Sequence, residues 1–158
     1  MDRDGHFGFT LLVWFTVAWT MGIYTLDVYL LGVLSSVLSF IPDIDLKLRI
    51  KHRGVTHSLV TSLVTSIGAG VLTMHTGLGF WTGFTVLFAA QSTHILGDIF
   101  TYTPLKPFYP LSGWSISLKL FRSDNNVVNK IFLYLGGITS TAYLLKTWGI
   151  DIFELLFS

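Results

Sequence analysis

Long apolar stretches alternate with short polar breaks along the whole chain. Residues 5–26 carry no Asp, Glu, Lys or Arg, and the run from Gly54 to Gly97 carries none either. A helix crosses the hydrocarbon of a bilayer with about 20 apolar residues, in a range of roughly 17–25. Residues 7–25 predict one such helix, and residues 28–42 predict a shorter one that opens after Asp27 and closes at Pro42. Proline biases Ile41 away from helical geometry, so the chain is expected to leave the helix near Asp43. The uncharged run that follows is too long for one helix. Thr76-Gly77-Leu78-Gly79 supplies the break, giving helices at about 57–75 and 80–100. A last helix is expected from about 130 to 147. Residues 101–130 read as a loop with Pro104, Pro107, Pro110 and Gly113, in which Ser115 to Leu120 alternates with period two and predicts a short strand. The tail, Trp148 to Ser158, is expected to lie in the membrane interface.

Composition turns this pattern into a fold class. Charged residues make up 12% of the 158 and hydrophobic ones 51%, against about 25% charged in an average soluble domain. The expected fold is all-α, a polytopic bundle of about five transmembrane spans forming a single integral membrane domain over residues 1–158. The first apolar run exceeds a signal peptide's apolar core of roughly 7–15 residues, and Met1-Asp2-Arg3-Asp4 lacks a basic leader, so a retained helix is expected. A net charge of +1 offers no global field to nucleic acid, and no nucleic-acid binding is expected. With no cysteine, any metal must be held by histidine and carboxylate. The sequence carries no signal for an oligomeric state.

Basic residues set the topology. One loop holds Lys47, Arg49, Lys51 and Arg53, another holds Lys106, Lys119, Arg122 and Lys130, and the turns near Asp27 and at 75–79 hold no Lys or Arg. Both basic loops are therefore expected on the cytoplasmic side of a prokaryotic-type cell membrane, with the N-terminus in and the C-terminus out.

On that topology the polar clusters converge at one depth. His6 lies at the inner end of the first helix, Asp43 and Asp45 at the inner end of the second, and His57 at the start of the third. His94 and Asp98 lie at the inner end of the fourth. Only His75 falls elsewhere, and it reads as a surface residue. His94 and Asp98 are spaced i, i+4 on one helix face, which suits either a two-ligand clip or a self-satisfied pair. Asp43 and Asp45 are expected on non-helical backbone, as ligands, as a base toward bound water, or as an Asx-type helix terminus. Thr56 is expected to cap the third helix, putting His57 in its first turn beside free backbone N–H groups that suit an anion. Arg53 offers a planar fork for phosphate. Lys47, Arg49 and Lys51 are explained as a topological anchor. Imidazole with carboxylate points to zinc, with manganese or iron also compatible.

Gly5-His6, Pro42-Asp43-Ile44-Asp45, His52-Arg53-Gly54-Val55-Thr56-His57-Ser58 and His94-x-x-x-Asp98, followed by Thr101 and a proline/aromatic loop, together resemble the YdjM-type family of membrane-bound, metal-dependent hydrolases. That family is in turn similar to the zinc-dependent phospholipase C and single-strand nuclease superfamily, where such a series binds zinc ions that activate water against a phosphoester. The resemblance implies His6, Asp45, His57, His94 and Asp98 as metal ligands, with Asp43 as a further ligand or base. Leu46 stands where the family often has histidine, and Asn129 stands in the register of a family glutamate. The later histidine ligands of the soluble phospholipases are missing, so one or two ions are expected rather than three.

The function these readings predict is hydrolysis of a phosphoester in a phospholipid or lipid-linked phosphate by metal-activated water at the cytoplasmic membrane face. Asp43, His52 and Arg53 are the expected catalytic residues, with His52 as general acid or support to a ligand. Tyr102, Phe108, Tyr109 and Trp114 would form a lid. The alternative is a non-catalytic metal-binding membrane protein, structural or sensing. A metal transporter ranks last, because the ligands cluster at one face. An intramembrane metalloprotease would need His-Glu-x-x-His on a helix, which is absent.

Overall fold

A computed structural model describes residues 1–45 and 53–150. Leu46, the anchor residues Lys47, Arg49 and Lys51, His52, and the tail beyond Ile150 lie outside the described residues. Among the described residues there are five α-helices and no strand: α1 (Arg3–Thr20), α2 (Leu26–Leu38), α3 (Leu59–His75), α4 (Phe80–Ile99) and α5 (Asn126–Thr147). All five coincide with apolar stretches of the sequence. Four of them open on a side-chain cap, namely Asp2 for α1, Thr25 for α2, Ser58 for α3 and Asn125 for α5. Each cap satisfies a backbone N–H that the first turn leaves without a partner. Between α3 and α4 the chain reverses through Gly77 and Gly79 at φ 82° and 81°, a region that favours glycine.

Two local expectations are corrected. α2 ends before Pro42, and Ile41–Asp43 forms a 3-10 turn with Pro42 in its first positions, where a missing N–H costs nothing. Ile44 is helical at φ −61°, ψ −23°, so Asp43 and Asp45 do not sit on irregular backbone. The strand expected over 115–120 does not form. Lys119 takes φ 51° and interrupts the extended run, leaving an isolated bridge between Leu105 and Ile116. Its backbone is used otherwise. Leu118 N–H donates to the Ile99 carbonyl at 2.7 Å and Leu120 N–H to that of Phe100 at 2.9 Å, satisfying the carbonyl end of α4.

The polarity of α2 and α3 is turned inside out. On α3 Ser58, Ser62, Ser66 and Gly70 recur every fourth residue and are buried, while Leu63, Val64, Ile67 and Val71 are exposed. On α2 Gly32, Ser35, Ser36 and Ser39 face inward and Leu26, Leu30, Leu34 and Val37 face out. Small inner residues with an apolar exterior are what helices in lipid require. Among the described residues one helical stretch, Leu26–Asp43, is long and apolar enough to cross a membrane, and Leu59–His75 is a shorter apolar helix.

The interior changes character along the bundle. At one end Leu11, Phe15, Ala18 and Tyr143 form an apolar cluster, and the Tyr143 hydroxyl donates to the Ile23 carbonyl at 2.7 Å, tying α5 to the turn before α2. Next come hydroxyl and amide pairs, Thr10 with Thr93 at 2.8 Å and Gln91 with Thr65 at 3.0 Å. α1 and α5 touch backbone to backbone there, since a Cβ on Gly136 would fall 2.1 Å from the Gly8 carbonyl oxygen. The opposite end holds His6, His57 and His94 with Asp43, Asp45 and Asp98.

Candidate metal centre

Four elements deliver the site. His6 stands in the first turns of α1, His94 and Asp98 in the last turns of α4, Asp43 at the end of the 3-10 turn after α2, and His57 in a second 3-10 turn, Val55–His57, before α3. His6, His57, His94 and Asp98 are fully enclosed, and the Asp43 side chain keeps 25% exposure.

The partners of His94 and His57 orient their rings. His94 Nδ1 lies 2.7 Å from the Ser39 carbonyl oxygen, which can only accept, so that nitrogen carries the proton. Thr56 gives its one hydroxyl proton to Asp45 Oδ2 at 2.7 Å, so its oxygen accepts from His57 Nδ1 at 2.9 Å. Asp45 Oδ2 also lies 3.4 Å from that nitrogen. With Nδ1 engaged on oxygen, both rings turn Nε2 toward the centre, and these two atoms are 3.1 Å apart. Asp43 Oδ1 lies 3.3 Å from His57 Nε2 and 3.5 Å from His94 Nε2. Asp98 Oδ2 lies 3.7 Å and 3.8 Å from the same pair.

Four side chains that can each offer a ligand atom, Asp43, His57, His94 and Asp98, thus converge. His6 joins the group by stacking on His94 at 3.7 Å between ring centres, with its Nε2 3.4 Å from Asp98 Oδ1. Both His6 ring nitrogens are buried without a hydrogen bond. Two triads, His6–His94–Asp98 and Asp43–His57–His94, each bring three ligand atoms within 4.8 Å of one another and share His94. A divalent cation fits this donor set, because imidazole nitrogen and carboxylate oxygen are its usual ligands and its charge would compensate carboxylates held out of water.

Around the centre, cations hold Asp98 in place. The Met1 amino nitrogen is 2.7 Å from Asp98 Oδ1 and Arg53 Nη2 is 3.1 Å from the same oxygen. Arg53 Nη1 donates to Thr101 Oγ1 at 3.0 Å and to the Thr103 carbonyl. Arg53 itself takes φ 57°, which bends the chain into the site.

The structure brings together five of the six expected ligands, His6, Asp43, His57, His94 and Asp98, on one centre. Asp45 stands behind His57, on the ring nitrogen that faces away from it. Arg53 reaches Asp98, and His52 lies outside the described residues. Thr56 does not cap α3, because Ser58 does so, its Oγ accepting from Thr61 N–H at 3.1 Å. His57 therefore precedes the helix, and the Leu59 N–H expected for an anion donates to the Pro107 carbonyl at 2.8 Å. His75 is exposed at the far end. Asn129 is buried on α5, donating to the Ser123 carbonyl at 3.0 Å, with its Oδ1 against Gly5. Sequence reasoning missed the Ser39 carbonyl and the parts of Thr101 and Thr103. The Ser39 and Thr103 carbonyls are backbone atoms with no sequence signature, and Thr101 stands in the sequence only as the residue following the His94-x-x-x-Asp98 motif, with no role attached.

A family model described as YdjM inner membrane protein matches residues 1–157. No curated protein and no solved structure matches the chain.

Proposed function

The chain belongs to the YdjM inner membrane protein family, and on that premise we propose that it is a membrane-embedded, metal-dependent hydrolase of phospholipid or lipid-linked phosphoesters. Membership supports a membrane localisation. The inverted polarity of α2 and α3 supports extending this to a bundle whose five helices cross the bilayer, with the N-terminus and the site on the cytoplasmic side as the basic loops require. The observation that carries the reading is the pair of imidazole Nε2 atoms, 3.1 Å apart and flanked by Asp43 and Asp98.

His6, Asp43, His57, His94 and Asp98 would hold one or two ions. Nitrogen with carboxylate oxygen and no thiolate favours zinc, with manganese or iron compatible. When bound, such an ion supplies Lewis acidity toward a phosphoryl oxygen and activation of water. The remaining work falls to the chain. Asp43, the one ligand open to the outside, marks the mouth and is placed to take a proton from water. Asp45 with Thr56 holds His57 in the tautomer that presents Nε2, as carboxylates commonly do for ligating histidines. Arg53 neutralises and positions Asp98, and its charge favours an anionic substrate nearby. His52 is assigned the general-acid part.

The burial of His6, His57, His94 and Asp98 favours a second reading, a closed metal site with no turnover. The two are separated by assaying detergent-purified protein on phospholipids and lipid-linked phosphates, with and without chelator. Chelator-sensitive release of phosphate or headgroup supports the hydrolase. Activity unchanged by chelator or by His94→Ala, or metal retention without turnover, rejects it.

A further inference from the structure

The loop between α4 and α5 carries large apolar side chains outside any helix packing. Phe108, Leu111, Trp114, Leu118 and Leu120 are each between 45% and 81% exposed, with Leu111 the most. Phe108 and Trp114 stack on each other at 6.1 Å rather than on the bundle. Exposed apolar side chains in such number on one loop mark a surface that something covers.

The backbone beneath is held. Leu118 and Leu120 bond to the end of α4, Pro107 accepts from Leu59 at the start of α3, and Thr103 accepts from Arg53. The loop is thus a fixed platform at the site end of the bundle, with its apolar side chains turned outward.

Charge selects the occupant. Over residues 101–125 the basic residues are Lys106, Lys119 and Arg122, and the sole acid is Asp124. Arg122 and Asp124 bind each other through two 3.0 Å contacts, which leaves Lys106 and Lys119, both exposed, as the loop's charge without an acidic partner among the described residues. Apolar and aromatic side chains interleaved with lysine match the headgroup region of an anionic leaflet. We infer that this loop is a membrane-interface element that lies in the leaflet on the site's side and is drawn there by anionic lipid. The inference rests on the membrane-embedded reading and is independent of whether the centre turns over substrate.

The chain has no cysteine, so Leu111→Cys carries a single spin label. The full-length labelled protein is placed in nanodiscs of phosphatidylcholine alone or phosphatidylcholine with phosphatidylglycerol. Collisions with oxygen and with an aqueous nickel chelate report depth. The expected result is a label shielded from the chelate in both bilayers and more deeply in the anionic one. Reversing charge with Lys106→Glu and Lys119→Glu removes the anionic increment, and His94→Ala leaves the depth unchanged. A label open to the chelate in both bilayers, a depth indifferent to lipid charge, or label–label broadening from a second copy on this face would each overturn the inference.

Discussion

His57 and His94 meet through their Nε2 atoms at 3.1 Å, and Nδ1 of each ring is already engaged with oxygen, on Thr56 and Ser39 respectively. With Asp43 and Asp98 on either side, a bound divalent cation would hold this donor set together. Stability should therefore depend on metal. Stripping the purified protein with chelator is expected to lower its thermal midpoint in detergent, and zinc should restore it. Linkage gives about 2.7 kcal/mol at a free ion concentration of 100 times Kd. Differential scanning fluorimetry across a zinc titration measures it.

Asp45 acts on the centre through His57. Asp45→Asn keeps the shape but weakens the hold on the ring, and metal affinity is expected to fall by about 10- to 100-fold. The fold should persist, because Thr56 and the 3-10 turn remain. Competition with a chromogenic chelator reads the affinity, and circular dichroism checks the fold.

Arg53 binds Asp98, Thr101 and Thr103 with one planar group. Lysine cannot make all three contacts, so Arg53→Lys should behave as a loss rather than a conservative change. Arg53→Ala leaves Asp98 short of a buried counter-charge, at a cost on the order of 3 kcal/mol. Chemical denaturation in mixed micelles compares the three proteins.

Helix packing gives a test remote from the chemistry. Gly136→Ala drives a methyl into the Gly8 backbone, which cannot yield, and about 1–3 kcal/mol of destabilisation is expected. Its neighbour is the control. A Cβ on Gly137 meets nothing within 4 Å, so Gly137→Ala should be neutral or gain up to about 1 kcal/mol from helix propensity.

The helices were legible because their apolar runs are long and their breaks contain proline, glycine or charge. His94 and Asp98 were legible as partners because helical periodicity puts them on one face. His6 and His57 could be joined to them only by counting which helix ends share a side of the bundle. What stayed hidden was local. Whether Thr56 or Ser58 caps α3 depends on Asp45 claiming the Thr56 hydroxyl, a contact eleven residues away. The division between Asp43 on the centre and Asp45 behind His57 depends on the turn around Pro42, and two aspartates one residue apart do not encode it. The alternation at Ser115 to Leu120 did not make a strand, because Lys119 takes φ 51° and the backbone bonds of the segment divide between Leu105 and the end of α4.

Metal content of the purified protein tests the central claim most directly. Elemental analysis of full-length protein, exchanged into metal-free buffer, is expected to find one or two zinc, manganese or iron ions per chain. His94→Ala, which removes the residue common to both triads, should lose them while His75→Ala retains them. Metal-free wild-type protein that cannot be loaded, or a His94→Ala protein that binds metal like the wild type, would contradict the account.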